Sequence, residues 1–211
     1  MRGPLWLLTA VLLLTGCASA HVLPIPRATG DTPCLSSVPE QDLLFGVALS
    51  GGGTRAALFA ASGLEALGGL RTADGASVLQ KVTHLSSVSG GSLAASYYTL
   101  KKPGREVPVL GPNGTMSEAY RTFFTQYRTD LSQDIENALI RRQLLSFRWI
   151  NPALAARTLA EILRERLFGE ATMADIGRRE ANGDSPGLIV NCAYNRAGIR
   201  QLCRGSQDPQ C

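Results

Sequence analysis

The sequence lacks the features that mark several large classes of protein. It has no run of about 18 apolar residues, which excludes an ordinary membrane-spanning helix. It has no repeat with a period of about 20–50 residues, which argues against a solenoid or a propeller. The 21 basic and 17 acidic residues leave a net charge of only +4, too small and too dispersed to make nucleic acid the expected partner. The 211 residues are 45% hydrophobic and 18% charged, which is enough apolar material for the core of one domain.

The first residues have the pattern of an export signal. Arg2 precedes an apolar run from Leu5 to Leu14, which as a helix is about 15 Å long and too short to cross a bilayer. The string Leu14-Thr15-Gly16-Cys17 resembles the lipobox of bacterial lipoproteins, in which the cysteine is lipidated and begins the mature chain. We therefore expect a signal peptide over 1–16 and an exported lipoprotein, anchored through Cys17 on the periplasmic or cell-surface side of a membrane. The alternative is secretion after cleavage at Ala18-Ser19-Ala20.

The remaining cysteines do not predict a metal site. The four cysteines other than Cys17 are Cys34, Cys192, Cys203 and Cys211. In an exported chain, four cysteines allow two disulfides with three possible connectivities. The spacing of the last three matches no zinc pattern, and no histidine lies near them. We expect no bound metal.

The order of elements after the signal predicts an α/β protein. Residues 17–40 are rich in proline and are expected to form an extended tether. Two pairs of elements follow, and in each a buried strand leads through a tight turn into a helix. The predicted strands are Leu43–Ser50 and Val82–Val88, and the predicted helices are Ala56–Leu67 and Ser92–Leu100. A third strand is predicted at Leu188–Val190, and this alternation is typical of a mainly parallel sheet.

The middle of the chain is predicted to be helical. Thr115-x-x-Glu118 has the form of a capping box, and apolar, mostly aromatic positions recur at helical spacing from Met116 to Leu131. Asn151-Pro152 predicts the start of another helix. The aromatic stripe fits either packing in the core or a groove that binds lipid.

The first turn with the features of a binding or catalytic site is Gly51-Gly52-Gly53-Thr54-Arg55. Its glycines let backbone N–H groups face a ligand at the positive end of a helix, where a phosphate, a pyrophosphate or a developing oxyanion would bind. The dinucleotide fingerprint is formally satisfied with Asp74 as its acid, but no apolar strand leads up to Asp74. A P-loop would need Gly-Lys-[Ser/Thr], which does not follow. We therefore expect no nucleotide ligand.

The second turn is Ser87-Val88-Ser89-Gly90-Gly91, which has the form of a nucleophile elbow with Ser87 in place of the first glycine. Small residues permit the strained turn that presents a serine Oγ at a helix N-terminus. Ser89 is the predicted nucleophile because it directly follows the apolar strand. In a shifted register, Ser92 would take that role.

A serine nucleophile needs a base, and histidine is too scarce to supply it. The chain has two histidines. His21 lies in the predicted tether, and His84 lies in the strand that ends at the elbow. No histidine follows Ser89, which excludes a Ser-Asp-His triad of α/β-hydrolase order. If Ser89 is catalytic, we expect a carboxylate as its base.

Taken together, the two turns resemble those of the patatin-like phospholipases, and the resemblance spans about residues 43–191. That family pairs a Gly-Gly-Gly-x-Arg oxyanion loop with a Gly-x-Ser-x-Gly elbow, and the string Ser86–Ser92 looks especially like its bacterial lipoprotein members. The resemblance implies a three-layer α/β fold with a mainly parallel central sheet. It also implies hydrolysis of acyl esters in membrane lipids by a Ser-Asp dyad, without metal or cofactor. It assigns the nucleophile to Ser89, the oxyanion hole to Gly51, Gly52 and Gly53, and supporting roles to Arg55 and Gly91.

The family's aspartate is where this sequence departs from the pattern. It belongs to an Asp-Gly-[Gly/Ala] motif downstream of the serine, whereas Asp74-Gly75-Ala76 lies upstream of Ser89 and predicts a loop turn. The aspartates after Ser89 all lack the motif: Asp130, Asp134, Asp175, Asp184 and Asp208. The expected organisation is therefore the N-terminal part of a patatin-like catalytic domain over 41–191, truncated or frame-shifted, with an irregular tail over 192–211. The alternative is a short natural variant whose dyad uses an aspartate outside that motif, for example Asp184.

Two functions of different class follow from this departure. An assembled dyad predicts a serine acyl hydrolase of lipid catabolism that acts on phospholipids or other acyl lipids. A site without its aspartate predicts a membrane-anchored lipoprotein that has no turnover and at most binds lipid.

Overall fold

The computed structural model describes residues 44–145, 152–193 and 200–204. The predicted signal peptide, Cys17 and the tether therefore lie outside the described residues. The elements are, in chain order, β1 (Gly46–Leu49), α1 (Gly53–Gly69), β2 (His84–Val88), α2 (Gly90–Lys101), α3 (Glu118–Leu131), α4 (Ile135–Leu145), α5 (Pro152–Leu163), α6 (Met173–Ala181), β3 (Gly187–Ala193) and β4 (Arg200–Arg204). A short 3₁₀-helix, Val78–Lys81, precedes β2, and a π-helical turn, Arg164–Phe168, follows α5.

The described residues belong to two compact units. The smaller unit contains α4 and α5, which pack against each other. The larger unit contains the strands and the other helices, and it holds both glycine-rich turns.

The larger unit is built on a sheet with the strand order β1-β2-β3-β4. The pairs β1–β2 and β2–β3 are parallel, which confirms the predicted α/β class with a mainly parallel sheet. Because the three parallel strands run the same way, the turns that follow β1 and β2 emerge at the same edge of the sheet. This topology places the two glycine-rich turns side by side.

The end of the chain differs from the irregular tail that the sequence led us to expect. β3 continues to Ala193, and β4 pairs with it in antiparallel fashion, with Asn191 opposite Leu202. This pairing gives hydrogen-bond partners to a β3 edge that would otherwise be open. Residues 194–199 and 205–211 lie outside the described residues.

Both helices that follow a parallel strand begin earlier than their hydrophobic patterns predict. α1 begins at Gly53 rather than Ala56, and α2 begins at Gly90 rather than Ser92. At α1 the backbone angles favour glycine, with φ 138° at Gly52 and 66° at Gly53. At α2, Gly90 and Gly91 instead leave room for the backbone that lies against them. The turns are consequently tight, and the first helical N–H groups lie directly at the ends of the strands.

Small and aliphatic side chains form the core between the helices and the sheet. α2 packs against all three parallel strands and against α1. Alanines at the contacts let the backbones approach closely, and the fully or almost fully buried residues here include Ala57, Ala61, Leu64, Leu85, Ala94 and Ala95. The sheet edge that carries the two turns is thus fixed by a close-packed interior.

The aromatic stripe of α3 lies in the core and does not line an open groove. Its positions, Tyr120, Phe123, Phe124, Tyr127 and Leu131, are all at most 9% exposed. The ring of Tyr127 stacks on that of Tyr97 from α2, and its hydroxyl donates to the Ala94 carbonyl at 2.6 Å. Packing is therefore the role that the structure gives to this stripe.

The predicted capping box at the start of α3 is wrong. The N-cap is Ser117, whose hydroxyl donates to the Pro108 carbonyl instead of accepting from the helix. Thr115 donates its hydroxyl to Asn113 Oδ1 at 2.8 Å. This local turn competes with the helix for the threonine side chain, as short polar side chains commonly do.

None of the helices in the described ranges combines the length and the apolar character that a bilayer crossing demands.

Candidate active site

Ser89 lies at the junction of β2 and α2 in a strained backbone conformation. It is the N-cap of α2, with φ 50° and ψ −117°, and it is the only residue other than glycine with a positive φ in the described ranges. A non-glycine residue held in such a conformation costs about 1–3 kcal/mol. The residue is exposed at the end of the strand. This combination of strain and exposure is what a nucleophile elbow requires.

Ser92, the alternative nucleophile, occupies a different environment. It lies in the first turn of α2, where its N–H donates to the Ser89 carbonyl at 2.8 Å. Its Oγ is buried and has no hydrogen-bond partner among the described residues. A buried hydroxyl inside a helix is poorly placed to attack a substrate, so the geometry favours Ser89 of the two.

The glycine loop follows β1 with backbone angles that favour glycine. Gly52 is the N-cap of α1 with φ 138°, and Gly53 opens the helix with φ 66°. Gly51, Gly52 and Gly53 are all exposed. The first N–H groups of a helix have no partner within it, so this loop presents free donors at the positive end of α1.

Three close approaches join the glycine loop to the serine turn. A Cβ atom on Gly51 would lie 3.3 Å from the Cβ of Ser89, so this glycine borders the nucleophile. A Cβ on Gly90 would lie 2.1 Å from the Gly53 carbonyl oxygen, and one on Gly91 would lie 2.6 Å from the carbonyl oxygens of β1's last residue and of Ser50. Real Cβ atoms do not approach backbone so closely, and hence both positions of the second turn need glycine.

The sequence pattern assigns a role to Gly91 but not to Gly90. Gly91 was predicted in a supporting role, and the structure places it against the end of β1. Gly90 was not singled out, although the residue after the nucleophile supplies an oxyanion N–H in elbows of this kind. That rule was the signal that could have identified Gly90.

Arg55 lies in the first turn of α1, two residues after Gly53. The residue is exposed, and its guanidinium has no hydrogen bond or ion pair with the other described residues. It therefore presents a positive charge near the glycine loop.

Histidine does not reach the serine. His84 is the first residue of β2 and Ser89 follows the last, so they are about 16 Å apart along the strand at about 3.3 Å per residue. The His84 ring is 9% exposed, and its Nδ1 lies 3.1 Å from Thr83 Oγ1. His84 therefore lies at the end of the sheet where the parallel strands begin, whereas Ser89 lies where they end. His21 lies outside the described residues.

Asp184 is not placed to act as the base, contrary to the alternative drawn from the sequence. It precedes β3, and β3 is parallel to β2, so Asp184 lies at the edge of the sheet where the strands begin, whereas Ser89 lies where they end. One of its carboxylate oxygens accepts from the Arg105 N–H at 3.4 Å, and its backbone carbonyl accepts from Lys102. Burial lowers the pKa of Lys102 to about 8.

The other described aspartates are engaged in local contacts. Asp130 accepts from Tyr97 and Gln126, and Asp134 accepts from a backbone N–H in α4. Asp175 caps α6 through Thr172, whose hydrogen bonds lower the pKa of that carboxyl. In the described ranges no carboxylate is hydrogen-bonded to Ser89 Oγ. Asp208 lies outside them.

Asp74 lies in a loop turn, as its sequence predicts. Gly75 has φ 82°, and the Asp74 carboxylate accepts from the Ala76 N–H and from Lys81 Nζ. The hydrogen bond from Lys81 is the largest cause of a pKa well below the ordinary aspartate range. Because this turn ends no strand, the context of a dinucleotide-binding acid is absent at Asp74.

We expect that Asp184→Asn leaves the reactivity of Ser89 within about twofold of the wild-type value. The substitution removes a carboxylate that lies at the far edge of the sheet and touches no part of the serine turn. The measurement is the rate at which a fluorophosphonate probe modifies the purified protein. A fall of a hundredfold or more, with an unchanged melting temperature, would show instead that Asp184 is the base.

No family model matches this chain, and the comparisons with curated proteins and with solved structures also gave no match.

Proposed function

We propose that this chain is a patatin-like serine acyl hydrolase that cleaves acyl esters of phospholipids or other lipids in lipid degradation. The observation that carries the proposal is the strained, exposed Ser89 held against a glycine loop at two helix N-termini. The three-layer arrangement of the patatin-like fold, with helices on both faces of the sheet, belongs to the same proposal. The parallel order of β1, β2 and β3 supports it.

In the proposed reaction, Ser89 Oγ attacks the carbonyl carbon of the ester. The bond between that carbon and the alkoxy oxygen breaks, and the alcohol or lysolipid leaves with the proton that was on Oγ. Water then hydrolyses the acyl-serine, which releases a fatty acid and restores the hydroxyl.

Backbone N–H groups stabilise the negative charge that develops on the carbonyl oxygen. Gly52 and Gly53 supply donors from the glycine loop, and Gly90 supplies one from the elbow. Such donors are preorganised at helix N-termini. Removal of one of them typically raises the free energy of the transition state by about 3–4 kcal/mol, as judged from the loss of rate. The positive end of each helix adds to the same field.

The partners of the proposed enzyme are membrane lipids. Arg55 would contact a lipid phosphate beside the loop, as its exposed positive charge suggests. A lipid on Cys17 would hold the protein at a membrane surface, where several acyl chains give stable anchoring. Export without an anchor is the alternative location.

A second candidate function is lipid binding without turnover. It is favoured by one observation, namely that none of the carboxylates in the described ranges is hydrogen-bonded to Ser89. Removing the base of a serine hydrolase lowers the rate by roughly 10⁴-fold in well-studied triads, so a protein without it would be almost inert. The proposed enzyme uses a carboxylate as its base, and no described aspartate is assigned to that role.

The test is covalent labelling of the purified protein with a fluorophosphonate probe, followed by peptide mapping. We expect the wild-type protein and Ser92→Ala to be labelled on Ser89, and Ser89→Ala to show no labelling. Ser92 is a matched control because it is a serine in the same turn of helix with a buried hydroxyl. Labelling that persists in Ser89→Ala, or that is absent from the folded wild-type protein, would contradict the proposal.

Turnover separates the two candidate functions. Incubation with phospholipid vesicles should release fatty acid continuously if the protein is a hydrolase. A single burst of acylation without further release would identify a reactive serine that lacks its base. Reversible binding of vesicles without acylation would favour the lipid-binding function.

A further inference from the structure

The strained conformation of Ser89 needs an external restraint. A residue held at φ 50° and ψ −117° relaxes unless the surrounding structure determines its position from several sides. On one side, Gly90 and Gly91 are pressed against the backbone of the glycine loop and of β1. The other neighbour of β2 in the sheet is β3, which is therefore the strand that can restrain the turn on that side.

The side chain of Asn191 in β3 makes this connection. Its amide Nδ2 donates to Ser86 Oγ at 2.9 Å and to the Ser87 carbonyl at 3.2 Å. In the register of the sheet Asn191 lies opposite Val88, the last residue of β2 before Ser89. One amide group thus joins β3 to two consecutive residues of β2, immediately before the strained turn.

We propose that Asn191 is a positioning residue that holds Ser89 in its strained conformation by fixing the end of β2 to β3. The inference rests on the proposed role of Ser89 as the nucleophile. An amide suits this position because its NH₂ group carries two donors, one for each acceptor. Leucine has a similar size but no donor, and aspartate would place a carboxylate against the Ser87 carbonyl.

A second contact between the same strands provides a matched control. Ser87 Oγ donates to the Ile189 carbonyl at 3.1 Å. Side chains alternate between the faces of a strand, so Ser86 and Ser87 lie on opposite faces of β2. Ser87→Ala therefore removes one side-chain hydrogen bond between β2 and β3 without touching the Asn191 amide.

Hydrogen exchange tests the inference independently of catalysis. The N–H groups of Ser92 and Leu93 donate to the Ser89 carbonyl at 2.8 and 3.3 Å, and their exchange rates report on the turn. Asn191→Leu removes both hydrogen bonds of the amide, and we expect both N–H groups to exchange about tenfold faster, relative to amides in the middle of α3. Ser86→Ala removes one of the two acceptors and should give a smaller effect in the same direction. Ser87→Ala should change this ratio by less than twofold.

The rate of labelling separates a positioning role of Asn191 from a purely structural one. If Asn191 positions Ser89, Asn191→Leu lowers the maximal rate of fluorophosphonate modification about tenfold and leaves the concentration for half-maximal rate unchanged. Unchanged exchange at Ser92 and Leu93 in both Asn191→Leu and Ser86→Ala would overturn the inference, and so would an equal effect of Ser87→Ala. Faster exchange in a protein whose wild-type form is not labelled would leave Asn191 as the restraint on the turn and would reject the proposed hydrolase.

Discussion

Replacing Gly90 with alanine is expected to abolish labelling of Ser89 and to lower the free energy of unfolding by about 3 kcal/mol or more. The new methyl group would lie 2.1 Å from the carbonyl oxygen of Gly53 and 2.9 Å from its carbonyl carbon. These are backbone atoms at the start of α1, which cannot move aside as a flexible side chain would. Relief of the overlap must separate the two turns, and that separation removes the oxyanion donors from Ser89. The measurements are the labelling rate and urea denaturation.

Gly63→Ala is the matched control for this substitution. Gly63 lies in the middle of α1, is exposed, and has no atom within 4 Å of the position that a Cβ would take. Alanine is the better helix former, so we expect a gain in stability of about 0.5–1 kcal/mol with unchanged labelling. Labelling of Gly90→Ala at the wild-type rate would show that the two turns do not need this close approach.

The α/β class and the tight strand-to-helix turn at Ser89 could be predicted because both depend on local sequence. The apolar runs before Gly51 and Ser89 predict strands, and each run leads through small residues into a helical pattern. The prediction of burial on both faces is wrong for β1, in which only Leu49 is buried and Gly46 and Ala48 are exposed. These two repeats suffice to predict parallel pairing, since a helix must carry the chain back across the sheet. The preference for Ser89 over Ser92 follows in the same way, because only Ser89 directly follows the strand.

The contacts that depend on register could not be predicted from the sequence. Asn191 reaches Ser86 and Ser87 only because β3 is the neighbour of β2 and pairs Gly187 with His84. Nothing near Asn191 in the sequence indicates that partnership. The placement of Asp184 could not be predicted for the same reason, since the direction of β3 decides at which edge of the sheet a flanking residue lies.

A competing local hydrogen bond explains why the capping box predicted at the start of α3 is wrong. The spacing of Thr115 and Glu118 satisfies the capping-box rule, but Asn113 lies two residues before Thr115 and accepts its hydroxyl. An Asn-x-Thr pair favours a turn of its own, and the helix begins after that turn instead of within it. Sequence spacing identifies possible partners of a short polar side chain, and the surrounding turn selects among them.

The strain at Ser89 also depends on the stability of the packed helices around it. A strained residue persists only where the rest of the fold can hold it in place, and here α2 carries the turn at its start and packs against α3. The rings of Tyr97 and Tyr98 from α2 meet those of Phe123 and Tyr127 from α3. Weakening this aromatic cluster should therefore reduce the population of the strained turn as well as the stability of the fold.

Phe124→Ala should lower the free energy of unfolding by about 3–5 kcal/mol, because it removes a large side chain from a site with 0% exposure. For a protein of this size that corresponds to a melting temperature lower by about 10 °C. Phe59→Ala is the matched control, because Phe59 is 78% exposed on α1, and its loss should change the melting temperature by less than about 2 °C. Thermal unfolding by circular dichroism measures both. If instead Phe124→Ala kept the wild-type melting temperature and weakened binding to phospholipid vesicles, the aromatic stripe would be a lipid-binding surface rather than the core that holds α2, and with it Ser89, in place.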